Sequence, residues 1–181
     1  MLTSLETLQR ALLLNKKNLF LMGFMGSGKT AIAKAFSKKY QVPFLDTDRM
    51  IEIQKKQTIA DIFKDLGEEA FRDLEGDLCR QLSRYSGHII STGGGFMLHH
   101  ENGEICKAMG PIVYLKTSLS VIKNRIENET HRPLALSSGT LSERYDARLS
   151  KYEALATVTI NTDNKSIDHL VTELWTVYDS Y

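Results

Sequence analysis

Between a short apolar run, Leu19-Phe20-Leu21-Met22, and a segment of helical periodicity, Ala31 to Tyr40, lies the octapeptide Gly23-Phe24-Met25-Gly26-Ser27-Gly28-Lys29-Thr30. It fits G-x-x-x-x-G-K-[ST] at every fixed position. Its glycines let the backbone curl into a nest of N–H donors, and a helix starting near Lys29 adds its positive end. Such a segment joins a strand to a helix, either around the phosphates of a nucleotide or as a glycine turn that binds nothing. Lys29 is spaced to reach the β- and γ-phosphates, and the Thr30 hydroxyl to ligate Mg²⁺. Gly26, Ser27, Gly28 and Ala31 complete the candidate nucleotide contacts in this stretch.

The rest of the chain repeats the same alternation. Further apolar runs occur at Val42-Pro43-Phe44-Leu45, Ile89-Ile90, Ile112-Val113-Tyr114-Leu115 and Val158-Thr159-Ile160. Helical spacing separates them: Phe71, Leu74, Leu78 and Leu82; then Leu119, Ile122 and Ile126; then Ile167, Leu170, Val171, Leu174 and Val177. Strands apolar throughout, separated by helices, imply a parallel sheet covered on both faces. We therefore expect an α/β fold, a three-layer α/β/α sandwich around about five parallel strands. No repeat or linker divides the 181 residues, so residues 18–181 read as one domain and residues 1–17 as a helical extension.

In such sheets ligands collect at the carboxyl ends of the strands, and the notable polar residues follow the apolar runs. Asp46 and Asp48 follow the second run. One can orient Mg²⁺ while the other meets an acceptor hydroxyl as its base; alternatively, Asp48 caps a helix over Arg49–Ile53. Gly93-Gly94-Gly95 follows the third run, where bare backbone suits close approach of a ligand. Arg72 and Glu75 stand at i,i+3, either fixing a guanidinium fork for a substrate carboxylate or forming a surface ion pair. Arg125, Arg132 and Arg148 fall in the polar stretch between the fourth and fifth runs. The loop-like part of that stretch, about 127–142, suits a lid that delivers an arginine to the phosphates, though each arginine also reads as plain surface.

The phosphate loop alone does not decide the reaction. A guanine-reading N-K-x-D is missing from the sequence, and the third run ends in glycines where a motor ATPase would carry an acidic pair. A kinase is the leading class, against a nucleotide binder without transfer activity. A formal net charge of +1 offers no bulk attraction for nucleic acid or an anionic membrane. No apolar run approaches the ~18 residues that span a bilayer, and Met1–Lys17 lacks the order of a secretory signal. We expect a cytoplasmic protein, with Cys79 and Cys106 as reduced, buried or half-buried thiols.

Taken in order, these segments resemble the shikimate kinase family from about Asn18 to the last helix. The matching marks are the loop Gly23–Thr30, L-D-T-D at Leu45–Asp48, I-A-D-I-F at Ile59–Phe63 and G-E-x-x-F-R-x-x-E at Gly67–Glu75. S-T-G-G-G at Ser91–Gly95, R-P-L at Arg132–Leu134 and R-x-x-x-Y at Arg148–Tyr152 complete them. The resemblance implies a P-loop fold of the nucleoside monophosphate kinase kind, acting as a monomer. It implies transfer of phosphate from ATP to the 3-hydroxyl of shikimate, with Mg²⁺, in aromatic amino-acid biosynthesis. Asp48 would bind shikimate hydroxyls, Arg72 and Arg148 its carboxylate, and Gly93, Gly94 and Gly95 would supply backbone donors. Arg132 would be the lid arginine, Asp46 would help Thr30 hold Mg²⁺, and Arg125 and Lys165 would border the adenine. The sequence departs from the family at Ala135, where R-P-L is usually followed by a second leucine, and in the length of its N-terminal extension.

Overall fold

The computed structural model describes residues 16–99, 101–128 and 140–181. Its sheet has five strands: β1 (Leu19–Met22), β2 (Phe44–Asp46), β3 (Ile89–Ser91), β4 (Ile112–Lys116) and β5 (Val158–Asn161). They run parallel in the order β2-β3-β1-β4-β5. The helices among the described residues are α1 (Lys29–Tyr40), α2 (Thr47–Lys55), α3 (Ile59–Gln81), α4 (Asn102–Met109), α5 (Leu119–Asn128), α6 (Leu141–Leu155) and α7 (Ile167–Asp179).

Alternation along the strands builds two cores. Phe20, Met22, Ile90, Ile112 and Tyr114 face one side, where α2 to α6 bring Ile51, Ile62, Leu78, Cys106, Ile122 and Tyr152. Leu19, Leu21, Ile89, Val113 and Leu115 face the other, against Phe36 of α1 and Leu170, Val171 and Leu174 of α7. Each side of the sheet is thus covered, giving the expected three layers, with the nearly unbroken apolar strands that a doubly covered sheet requires.

The second strand is shifted from its expected place. Pro43 has no N–H for a ladder, so β2 begins at Phe44 and runs to Asp46, while the Pro43 carbonyl accepts from Ile89 N at 2.9 Å. Ile167, read as part of an apolar face, is 47% exposed in the first turn of α7. Two helices went unread, α4 and α6. The second opens on a capping box: Glu143 N donates to Thr140 Oγ1 and Thr140 N donates to Glu143 Oε2.

Two glycines shape the frame. Gly67 interrupts α3 with φ 82° and ψ 176°, which starts a fresh helical run at Glu68. Gly110, between α4 and β4, lies so close to the backbone of Asn18 that a side chain there would overlap the Asn18 carbonyl oxygen. Asn18 itself is buried and ties the entry of β1 to neighbouring loops, donating to Tyr85 O at 2.8 Å and accepting from His88 N at 3.0 Å.

Candidate active site

The loop from β1 into α1 has the geometry its glycines allow. Gly28, at the N-cap of α1, sits in the left-handed region at φ 92°, and no side chain caps the first turn, whose amides therefore face the loop. Lys29 is buried, with Nζ donating to the carbonyls of Gly23 and Phe24 at 2.8 and 2.9 Å. Arg125, on α5, leans over the loop and donates to the Gly26 carbonyl at 3.0 Å. A cleft of about 510 Å³ is lined by Gly26 to Ile32, Arg125, Lys165, Ile167 and Leu170. Lys165 is held at its edge by Glu173, at 2.6 Å, and His169 reaches the same carboxylate at 2.8 Å.

Parallel register sets Asp46 beside Ser91 at the carboxyl ends of β2 and β3. The Thr30 hydroxyl meets both, donating to Asp46 Oδ2 at 2.9 Å with Ser91 Oγ 3.1 Å away. The helix-capping role proposed for Asp48 belongs to Asp46, whose Oδ1 accepts from Arg49 N at 3.2 Å. A β-region backbone at Asp46 suits an N-cap, whereas Asp48 already lies in the first turn of α2.

Gly93, Gly94 and Gly95 form a strip against which the remaining candidates stand. A Cβ at Gly93 would lie 2.5 Å from Asp48 Oδ1 and 3.2 Å from Glu75 Oε1; one at Gly95 would lie 2.8 Å from Arg72 Nη1. At Gly94 it would meet Met25 N at 3.5 Å and Arg148 Nη1 at 3.6 Å. The chain's own charged side chains therefore crowd Gly93 and Gly95, whereas at Gly94 a Cβ would meet its neighbours at ordinary contact distance. The Gly93 N–H, one of the three expected backbone donors of this strip, donates to Thr47 Oγ1 at 2.9 Å.

Arg72 and Glu75 are no surface pair. Their side chains are 11% and 1% exposed, joined at 2.7 Å, and Glu68 adds a second contact to Arg72 at 2.8 Å. Burial pushes the Glu75 carboxyl up to about 7, although Arg72 pulls against it. Burial also opposes the charge on Arg72, but its two carboxylate partners hold the guanidinium protonated beyond its ordinary range. Arg148, on α6, rests its guanidinium 5.6 Å from the centre of the Phe24 ring. One turn on, Tyr152 donates its hydroxyl to the Gly94 carbonyl at 2.6 Å.

The structure thus brings Asp48, Arg72, Glu75, Arg148 and the glycine strip together, and sets Thr30 with Asp46. Arg132 and most of the lid expected at 127–142 lie outside the described residues, as do residues 1–15 of the extension. Ser91, Thr47 and Tyr152 were not singled out by sequence reasoning. Only strand register reveals Ser91 and only the packing of α2 and α6 reveals the others, although L-D-T-D, S-T-G-G-G and R-x-x-x-Y contain all three. Cys79 and Cys106, distant in sequence, meet between α3 and α4 as free thiols with sulfurs 3.7 Å apart.

A phosphate-shaped loop abutting, at a single glycine, a strip lined by arginines and carboxylates puts the chain among the P-loop kinases of small molecules. The model of one such family, described as shikimate kinase, matches residues 25–178. The chain belongs to the shikimate kinase family. A shikimate kinase of Dictyoglomus turgidum is 38% identical over 88% of this chain and 95% of its own length. One from Bacillus cereus is 38% identical over 87% of this chain and 96% of its own. Among solved structures, the shikimate kinase of Acinetobacter baumannii in complex with shikimate superposes with a TM-score of 0.84 at 29% identity, covering 94% of this chain and 97% of that one.

Proposed function

We infer that the chain transfers the γ-phosphoryl group of ATP to the 3-hydroxyl of shikimate, giving shikimate 3-phosphate and ADP. The observation that carries this reading is the meeting of the two half-sites at Gly94, flanked by Met25 N of the phosphate loop and by Arg148. An acceptor gripped there stands next to the phosphates. In-line transfer demands this proximity more than covalent chemistry from the protein.

In this reading Arg72 and Arg148 bind the shikimate carboxylate, at about 1.5–3 kcal/mol for each charge-assisted contact. Asp48 accepts hydrogen bonds from ring hydroxyls and takes the proton of the attacking one, while Gly94 and Gly95 offer backbone donors. Lys29 exchanges its carbonyl partners for phosphate oxygens, and Arg125 and Lys165 border the nucleotide cleft. Arg132, by its position in R-P-L, is the lid arginine.

For Mg²⁺ the residues present fit. Thr30 Oγ1 and Asp46 Oδ2 are hard oxygen donors 2.9 Å apart at the strand ends, beside the phosphate loop. Among the described residues no cluster of three acidic, histidine or cysteine ligands exists, but Mg²⁺ at a nucleotide typically takes one or two protein oxygens and completes its shell with phosphates and water. When bound, it neutralises charge developing on the transferred group. The described part of one chain supplies candidates for both substrates, so the reading asks for no second chain, and we propose a monomer. No helix among the described residues is long and apolar enough to cross a membrane. We place the reaction in the cytoplasm, where ATP is at hand.

The test is ADP release from MgATP in a coupled assay, with shikimate, gluconate and nucleoside monophosphates offered separately. Turnover with shikimate alone is expected. Turnover with another acceptor would keep the kinase and overturn the acceptor assignment, and none with any of them would leave a nucleotide binder.

A further inference from the structure

We propose that Tyr152 is a positioning residue of the acceptor site, whose hydroxyl fixes the Gly94–Gly95 peptide against which both acceptor-site arginines rest. The residue is 1% exposed, and a hydroxyl buried so deeply needs a partner. It donates to the Gly94 carbonyl, 58 positions away in the chain, at 2.6 Å, and its oxygen accepts from the Arg148 guanidinium. Burial raises the phenol to about 12, so it stays a protonated donor throughout the neutral range.

The peptide it holds is the joint of the strip. Arg148 stands against Gly94 and Arg72 against Gly95. In a trans peptide the Gly94 carbonyl and the Gly95 N–H point in opposite directions, so drawing the carbonyl toward α6 turns that N–H to the other side. Between two glycines nothing steric selects that orientation. The hydrogen bond does. Tyr152 is itself held firmly, its ring packed 5.1 Å from that of Tyr114 on β4. It also lies one helical turn from Arg148, on the same face of α6. One side chain thus locks three parts together: the central sheet, the glycine strip and the helix that carries Arg148. A phenylalanine would pack as well and lock nothing.

This proposal rests on the reading of Arg72 and Arg148 as carboxylate ligands, and the experiment separates the two. Tyr152→Phe, Arg148→Ala and the double variant are compared with the parent chain for shikimate KM, ATP KM and kcat. Loss of the neutral hydrogen bond to Gly94 predicts about a fivefold rise in shikimate KM for Tyr152→Phe, with ATP KM and kcat within about twofold. Arg148→Ala is expected to raise shikimate KM about tenfold or more. The double variant should rise by less than the product of the single effects, because the Arg148 guanidinium hydrogen-bonds the Tyr152 hydroxyl and both bear on the same peptide. A Tyr152→Phe enzyme with parental shikimate KM, beside an impaired Arg148→Ala, would overturn the proposal and leave the site reading intact. Unchanged KM in both variants would bring down the site reading and the proposal with it. A Tyr152→Phe chain that fails to fold, or loses affinity for both substrates alike, would also overturn it, since Tyr152 would then serve the fold.

Discussion

Glu75 is a carboxyl group shut away from water, with a guanidinium as its closest partner. Its pKa near 7, against an ordinary 4.5, means the folded chain holds that proton more tightly than the unfolded chain does. The stabilising contribution is therefore complete below pH 4.5 and lost as pH rises through 7, by about 3 kcal/mol in all. Glu75→Gln should remove that component. The difference in thermal stability between parent and variant, followed from pH 4.5 to 8, should shift in the variant's favour as pH rises; a constant difference would contradict it. Asp48 bears on chemistry instead. Asp48→Asn keeps the shape but loses the proton acceptor, and should lower kcat by about 10²–10⁴ while leaving ATP affinity near parental. Calorimetric titration with nucleotide alongside the rate assay separates the two effects.

Helix α6 shows where reading by residue type stops short. Arg148 was visible as a candidate, but the element that aims it was read as a polar stretch, because its face toward the core is made of Leu141, Tyr145, Arg148 and Tyr152 and not of aliphatic residues alone. The T-L-S-E at its start was a legible sign, and the reciprocal bonds of Thr140 and Glu143 are its physical counterpart. Thr140→Ala should cost about 1 kcal/mol, a fall of roughly 2–4 °C in Tm for a chain of this length. Differential scanning calorimetry would measure it. By contrast α1, α5, most of α7 and the second half of α3 are legible from spacing, since their apolar stripes join the two cores that flank the sheet. The segment carrying Asp46 and Asp48 was half legible. A cap and a site residue were both foreseen, but a backbone-dependent shift of two residues decides which aspartate does which.

At the scale of the molecule, the three-layer architecture could be foreseen because every strand of a doubly covered parallel sheet is apolar, a pattern with few rival explanations. Strand order could not: nothing local says that β3 lies between β2 and β1, and that order, with its register, sets Asp46 beside Ser91. Close packing adds a constraint that no periodicity reveals. Gly110 meets the backbone of Asn18 at the entry to the central strand, so Gly110→Ala must push β1 and β4 apart or shift both. Backbone cannot yield as a side-chain end can, and we expect a loss of about 3 kcal/mol or more, read as a markedly lower urea midpoint.

The two sulfurs between α3 and α4 have a practical consequence. They are the chain's only cysteines, and both are fully enclosed. A thiol-labelling reagent added to the native protein can react only when that seam parts, so labelling runs as a clock for the breathing of the helix that carries Arg72 and Glu75. If shikimate slows the clock more than ATP does, the acceptor's grip on Arg72 is felt along α3 as far as Cys79, in a chain that needs no added probe to report it.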